Sequence, residues 1–198
     1  MSNDGVNQGR RRFLVGATSV VGAVGAVGVA VPFVASWQPS AKARAAGAPA
    51  TADVSRLEPG QQMTVEWRGR PVWIIRRTPE MLESLSAIEG SLADPESNVS
   101  SQQPIYAQNR YRSRREEMLV VIGICTHLGC SPTYRPEVAP SDLGANWLGG
   151  FFCPCHGSRF DLSGRVFRNQ PAPTNLEVPP YSFTDENTIV VGVDEENA

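Results

Sequence analysis

Histidine and cysteine are scarce in this chain of 198 residues, which contains only two of the first and four of the second. All six lie in two short segments, 125–130 and 153–158, and the rest of the sequence has none. Cysteines that merely fill a core would be scattered along the chain, so the pattern excludes that interpretation. Two compact segments that each offer cysteine and histidine are instead typical of a metal site.

The sequence also lacks a basic region of the kind that binds nucleic acid. The formal net charge is −2, with residues 1–44 carrying +4 and the remainder −6. The one basic cluster, 110–115, holds four arginines, and we predict a solvated loop there, with a docking surface as the alternative. Internal repeats are lacking too, apart from the paired Cys/His segments. No nucleic-acid partner is therefore expected.

The two segments can supply a matched set of metal ligands, because each offers a thiolate and an imidazole as Cys-x-His or Cys-x-x-His. Zinc accepts two cysteines and two histidines in a closed tetrahedral site. A Rieske [2Fe–2S] centre accepts the same set, divided between its two irons. Zinc sites usually leave no paired surplus, whereas Cys130 and Cys155 remain here, one in each segment. This surplus indicates a disulfide between the segments, and a zinc-stabilised binding module stays as an alternative.

The sequences Cys-Thr-His-Leu-Gly-Cys at 125–130 and Cys-Pro-Cys-His-Gly-Ser at 153–158 resemble the Rieske iron–sulfur proteins of cytochrome bc complexes. The resemblance implies one [2Fe–2S] cluster per subunit, held by four ligands: Cys125, His127, Cys153 and His156. It implies that Cys130 and Cys155 form the disulfide. It also implies that Leu128 shields the cluster and that Ser158 donates a hydrogen bond to a cluster sulfur.

The ligand set determines the chemistry of such a cluster. Neutral imidazoles in place of two thiolates make it less negative, so that it accepts an electron more readily. Potentials rise from about −400 mV in plant-type ferredoxins to about −150 to +300 mV in Rieske centres. A carrier in the upper part of that range can oxidise a quinol. The second ring nitrogen of His127 or His156 would then be free to bind the substrate and carry a proton.

An uncharged stretch of 25 residues, 13–37, precedes the Cys/His segments. About 20 apolar residues span a hydrocarbon core, so the stretch predicts a transmembrane anchor. The arginines at 10–12 keep the N-terminus in the cytoplasm by the positive-inside rule, and together with Phe13 and Leu14 they resemble a twin-arginine export signal. Arginines that serve topology alone, and a signal peptide cleaved within 41–50, are the alternatives.

These features divide the chain into four parts. Residues 1–12 form the cytoplasmic N-terminus and carry the export signal, and residues 13–37 anchor the chain in the bacterial inner membrane. Residues 38–52, rich in Ala, Pro, Ser and Gly, form a linker, which is a hinge for a swinging domain in the resembling family. Residues 53–198 form a periplasmic domain, whose cluster-binding subdomain is expected at about 122–174. The oxidising periplasm suits a disulfide.

The resemblance implies that the periplasmic domain is an all-β, Rieske-type antiparallel sheet fold with an inserted cluster-binding subdomain and one short helix. Runs of β-branched and aromatic residues bounded by Gly and Pro predict five strands: 63–67, 72–76, 118–124, 147–153 and 188–193. A hairpin turn is expected at 68–70, between the first two. Both Cys/His segments directly follow predicted strands, so rigid elements support them.

One helix is predicted between the second and third strands. Thr78 can cap it and Pro79 fits its first position, and its apolar face contains Met81, Leu85, Ile88 and Leu92. Further along, the prolines at 171 and 173 resemble the family's loop that covers the cluster, although Gln170 stands where glycine is common.

The resemblance covers essentially the whole chain and implies the iron–sulfur subunit of a bacterial ubiquinol–cytochrome c oxidoreductase, inactive on its own. In that family, ubiquinol bound by the cytochrome b subunit donates a hydrogen bond to an exposed ligand histidine, by analogy His156. One electron then passes to a membrane-bound c-type cytochrome, and the proton is released to the periplasm. The complex is expected to be dimeric. A membrane-tethered Rieske subunit of an oxidase for a small inorganic substrate is the alternative.

Phe160 stands where many members of the resembling family have a tyrosine that donates a hydrogen bond to a ligand sulfur. Phenylalanine has no hydroxyl, and hydrogen bonds to the sulfurs stabilise the reduced cluster. We therefore expect Phe160→Tyr to raise the midpoint potential of the cluster, measured by redox titration. An unchanged or lower potential would contradict this role.

Overall fold

The computed structural model describes residues 5, 7–41, 43 and 47–194. The chain divides after residue 45 into two compact units, which are described separately. The predicted linker is described only in part, because residues 42 and 44–46 lie outside the described residues, as do residues 1–4 and 6.

Among the described residues of the first unit, the long helix α1 spans Gln8–Ser36. The side chain of Asn7 caps it by accepting a hydrogen bond from the backbone N–H of Arg10. The helix has 29 residues and an apolar window of mean hydropathy 2.1, so it is long and apolar enough to cross a membrane. It therefore begins five residues before the predicted anchor and includes the arginines of the export signal. Pro32 lies inside the helix without ending it.

The described part of the second unit contains nine β-strands in three antiparallel sheets. The strands are β1 Ala50–Asp53, β2 Gln62–Trp67, β3 Arg70–Arg76, β4 Met118–Ile122, β5 Thr133–Arg135, β6 Gly150–Phe152, β7 Arg159–Phe160, β8 Tyr181–Phe183 and β9 Thr188–Val191. The sheets have the strand orders β1-β9-β8, β2-β3-β4 and β5-β6-β7. The third sheet is inserted in the sequence between β4 and β8. The predicted all-β fold with an inserted subdomain is confirmed.

The predicted hairpin and helix are both present. Arg68 and Gly69 connect β2 to β3 with φ values of 53° and 71°, the left-handed conformations that a tight two-residue hairpin turn requires. Helix α2, Pro79–Ala87, begins after Thr78, whose side chain accepts a hydrogen bond from the N–H of Met81. The helix is shorter than its apolar pattern, because the chain continues from Ile88 as a 3-10 turn, Glu89–Ser91.

Several strand boundaries differ from the prediction. β1 begins at Ala50, inside the range expected for the linker, and its four residues pair with β9. Its alternation of Ala and Thr carries little strand signal, so only the pairing partner reveals it. β4 ends at Ile122 because the next residue, Gly123, stands opposite Pro71, which accepts a hydrogen bond from the N–H of Gly123 but has no N–H to donate in return. β5, β7 and β8 have two or three residues each, too few for a periodic pattern.

One hydrophobic cluster joins all three sheets of the second unit. It includes Val72 and Ile74 of β3, Leu119 of β4 and Phe151 of β6, which are all fully buried. Burial of each such side chain stabilises a fold by about 1.5–3 kcal/mol. Cys125 and Cys153 belong to the same cluster, together with other residues from both segments' supporting strands. The two Cys/His segments thus rest directly on the main core.

Gly123 lies where the chain leaves β4 for the first Cys/His segment. A Cβ atom at this position would collide with the ring of Trp73, which is itself buried. We expect Gly123→Ala to lower the free energy of unfolding by about 1–3 kcal/mol through overpacking, measured by denaturant unfolding. Gly90→Ala is the matched control, because no atom lies within 4 Å of its added Cβ. Equal stability of the two variants would contradict this account.

Candidate metal centre

The first Cys/His segment is a tight loop closed by two backbone hydrogen bonds. The N–H of Cys125 donates to the carbonyl of Cys130 at 2.7 Å, and the N–H of Gly129 donates back to the carbonyl of Cys125 at 3.1 Å. Gly129 has a φ of 84°, which glycine adopts without steric cost. The loop therefore reverses the chain within six residues.

The second segment repeats this loop. The N–H of Cys153 donates to the carbonyl of Ser158 at 2.8 Å, and the N–H of Gly157 donates to the carbonyl of Cys153 at 2.9 Å. Gly157 has a φ of 78°. Both loops thus share one backbone design, although the histidine follows the first cysteine by two residues in one loop and by three in the other.

The loops bring two thiols and two imidazoles together. Cys125 and Cys153 are free cysteines, 2% and 1% exposed respectively. The ring centroids of His127 and His156 lie 4.7 Å apart, with the ring planes nearly perpendicular at 88°. His156 is exposed, whereas His127 is partly buried. All four predicted ligand residues therefore lie in or beside the paired loops.

Two observations show that these residues fit a metal group. The Nδ1 atom of His127 is buried and has no hydrogen-bond partner in the described part of the chain. Such an atom costs about 1–3 kcal/mol unless something binds it. Burial also raises the pKa of the Cys125 thiol; the backbone N–H of His127 opposes this effect and the nearby Cys153 thiol adds to it. A bound metal ion would convert such thiols to thiolates.

The disulfide between Cys130 and Cys155 is present, as the resemblance implied. It joins the two loops across 25 residues of sequence. The sulfurs of Cys130, Cys153 and Cys155 all lie within 4.8 Å of one another, which taken alone resembles a three-cysteine metal site. Two of these sulfurs are already bonded to each other and are not thiolate donors, so Cys153 is the only available ligand of the three.

The proline-rich segment 171–173 packs beside the loops. The N–H of Ala172 donates to the hydroxyl of Ser158 at 3.1 Å, and the hydroxyl of Thr126 donates to the carbonyl of Thr174 at 2.7 Å. The side chain of Gln170, at the position where the family commonly has glycine, accepts a hydrogen bond from the N–H of Arg159. One segment therefore holds both loops from a third side.

The remaining predicted site residues lie close to the loops. Leu128 is 72% exposed and adjoins His127 at the surface. Ser158 is fully buried, and its hydroxyl lowers the pKa of the Cys125 thiol, against the larger effect of burial. Phe160 is fully buried in β7, opposite Phe151 of β6. The functional roles of the three side chains stay predictions.

The basic cluster 110–115 is not a solvated loop, so that prediction was wrong. Arg112 is fully buried and Ser113 nearly so. The guanidinium of Arg112 donates to the carbonyl of Leu176 at 2.7 Å, and this hydrogen bond replaces one that the guanidinium would make with water. Arginine within a charged run is usually exposed, so nothing in the single sequence distinguishes Arg112 from its neighbours.

Comparison with known proteins agrees with this geometry. Residues 95–181 match the family model described as "Rieske [2Fe-2S] domain". Residues 1–40 match the model described as "Ubiquitinol-cytochrome C reductase Fe-S subunit TAT signal", which confirms the expected export signal. The fold and the site thus define a Rieske [2Fe–2S] protein.

Its relatives specify the family. The chain is 62% identical over its whole length to the ubiquinol-cytochrome c reductase iron-sulfur subunit of Allochromatium vinosum, of which it covers 95%. It is 43% identical to the subunit of the same name from Blastochloris viridis, with 96% of this chain and 97% of the relative covered. A solved structure described as "Hyperthermophilic respiratory Complex III" is 25% identical, with coverage of 90% and 98% and a TM-score of 0.47. The chain belongs to the family of ubiquinol–cytochrome c reductase iron–sulfur subunits.

The disulfide is expected to stabilise the loops without supplying a ligand. Cys130→Ser should lower the free energy of unfolding by about 3 kcal/mol, the loop-closure value for a cross-link of this span, while iron content is retained. Thermal unfolding and iron analysis measure the two effects.

Cys155→Ser and the double variant are the matched controls, because both single changes break the same bond. The three variants should be about equally destabilised. Losses that add in the double variant, or a loss of iron in Cys130→Ser, would contradict this role.

Proposed function

We infer that this protein is the electron-transferring Rieske subunit of a ubiquinol–cytochrome c reductase. It accepts one electron from ubiquinol and passes it to a c-type cytochrome of the same complex. The observation that carries this conclusion is the pair of matched loops, which place two buried thiols beneath two adjoining imidazoles. The 62% identity to a named subunit over the whole chain supports it.

Within this function, we assign the [2Fe–2S] group to four residues: Cys125, Cys153, His127 and His156. The buried free thiols and the unpartnered Nδ1 of His127 support this assignment. When bound, the group supplies one-electron transfer at the potential of a mixed Cys/His centre, roughly −150 to +300 mV. The disulfide joins the two loops, and this link would help to hold the four proposed ligand residues around one [2Fe–2S] group.

His156 is the residue that we assign to quinol binding. It is exposed, whereas His127 is partly buried, so its ring is the more accessible of the two. If one ring nitrogen of His156 holds the [2Fe–2S] group, the other would be free to accept a hydrogen bond from the quinol hydroxyl and to take up its proton. The proton is then released to the periplasm. Leu128, next to His127 and exposed, would add an apolar surface to this contact.

The partners follow from the family. The protein is part of a cytochrome bc complex, and we propose that its loop surface meets a cytochrome b subunit, which binds the quinol, and then a membrane-bound c-type cytochrome. The complex would be dimeric. The subunit has no quinol turnover alone, because one exposed histidine binds only the hydroxyl end of a quinol and the partner supplies the rest of the pocket.

The location and the hinge are proposed on the same basis. The apolar helix α1 and the twin-arginine match support an exported domain that keeps its anchor. By the positive-inside rule the arginines at 10–12 stay cytoplasmic in the bacterial inner membrane, which leaves the Rieske domain in the periplasm. β1 begins at Ala50 and so includes the last three residues of the predicted linker 38–52, across which we propose that the domain swings between its partners.

Low-temperature EPR after mild reduction with ascorbate tests the proposed function. Ascorbate should suffice for the reduction because a mixed Cys/His centre has a high potential, and we expect the reduced cluster to give a rhombic signal with a low average g value. Cys125→Ser should abolish the signal, whereas Cys130→Ser should retain it. A signal that appears only with dithionite would indicate a low-potential carrier with other partners. An iron-free protein that contains zinc would establish the structural-module alternative.

A further inference from the structure

Buried positive charges outnumber buried negative charges beneath the loops. Arg77, Arg112 and Arg165 are each no more than 2% exposed, and Asp161 is the only carboxylate that is buried among the described residues. Asp161 pairs with Arg165, whose Nε lies 2.8 Å from Oδ2. In the described part of the chain, no carboxylate lies within ion-pair distance of Arg77 or Arg112. Asp161 attracts both guanidinium groups from a longer distance, so one buried carboxylate stands against three buried arginines.

Neutral oxygen atoms hold the guanidinium of Arg77. Its Nη1 donates to the hydroxyl of Ser163 at 2.8 Å and to the carbonyl of Leu162 at 3.2 Å. Its Nη2 donates to the hydroxyl of Ser113 at 2.9 Å. These acceptors solvate the charge without neutralising it. Leu162 follows Ser158 of the second loop by only four residues.

Arg112 is held in the same way beneath the first loop. Its Nη1 donates to the carbonyl of Leu176 at 2.7 Å and its Nη2 to the side-chain oxygen of Gln103 at 3.0 Å. Two residues before Leu176, the carbonyl of Thr174 binds Thr126 of the first loop. Because two residues span at most about 7 Å, the guanidinium lies within roughly 15 Å of that loop.

The backbone of Arg112 is strained to place this side chain inside. Its φ is 51°, in the left-handed region that costs an ordinary residue about 1–2 kcal/mol. Burial lowers the pKa of Arg77 and of Arg112 to about 10, so both side chains stay charged at neutral pH. Both buried positions therefore carry a charged side chain, although an uncharged amide side chain could also donate hydrogen bonds there.

We propose that Arg77 and Arg112 raise the reduction potential of the centre by acting as fixed positive charges behind the two loops. The proposal rests on the proposed function, because it takes the [2Fe–2S] group to be held by those loops. A positive charge in a dry core attracts an added electron more strongly, and is screened less by salt, than one in water. The reduced state is therefore favoured without any contact between the arginines and the site.

Charge-matched variants test this proposal in the membrane-bound, cluster-containing protein. Arg112→Gln removes the charge and keeps an amide donor, whereas Arg112→Lys keeps the charge; Arg77→Gln and Arg77→Lys form a second pair. We expect the midpoint potential from EPR-monitored titration to fall in both Gln variants and to stay near the original value in both Lys variants. Arg110→Gln is the control, because its side chain is 47% exposed in the same loop.

Asp161→Asn provides a test of opposite sign. Removal of the buried Asp161 carboxylate should raise the potential of the centre. Loosened packing would not shift the potentials of Asp161→Asn and of the Gln variants in opposite directions. Should one arginine variant fail to fold, the other pair and Asp161→Asn decide the question.

The proposal is overturned by unchanged potentials in the Gln variants, by equal falls in the Lys and Gln variants, by an equal fall in Arg110→Gln, or by a fall in Asp161→Asn. Absence of the [2Fe–2S] signal from the unaltered protein would instead refute the proposed function. A normal signal with unchanged potentials would refute only the charge proposal.

Discussion

Two backbone hydrogen bonds, one from the amide of a cysteine and one from the amide of a glycine four residues later, shape each loop of the centre. They turn the cysteine side chain into the core and leave the histidine near the surface. Because the two loops share this backbone, the second one places Cys155 at the position that His127 occupies in the first. Because the histidine of the second loop comes one residue later, Cys155 is free to form the disulfide with the first loop. Each loop still presents one thiol and one imidazole.

The rest of the domain supports this pair of loops from below. The first follows β4, whose five residues are all buried, and the second connects β6 to β7 of the inserted sheet. Beyond β7, residues 161–164 form a turn that receives hydrogen bonds from Arg77 and Arg112, which lie outside the inserted sheet. The inserted sheet is thus joined to the base of the domain by buried polar contacts as well as by apolar packing.

The sequence predicts local chemistry well and long-range pairing poorly. The loops, the hairpin at Arg68–Gly69 and the cap at Thr78 depend on neighbouring residues, so their signals are visible in the chain. The disulfide was predictable because two cysteines remained after the ligands were assigned. β1 depends on a partner more than 130 residues away, and the burial of Arg112 depends on carbonyl acceptors at Ser163 and Leu176, 51 and 64 residues along the chain. A single sequence carries neither kind of information.

The pairing of β1 with β9 has a mechanical consequence. The tether enters the domain at Ala50, and the four residue pairs of this ladder, Ala50↔Val191 to Asp53↔Thr188, hold that entry against the last strand of the described chain. A force along the linker would therefore act first on the pairing of β1 with β9. The inserted sheet is not part of that ladder, so a force along the proposed linker would act on the pairing of β1 with β9 before it reached the Cys/His loops.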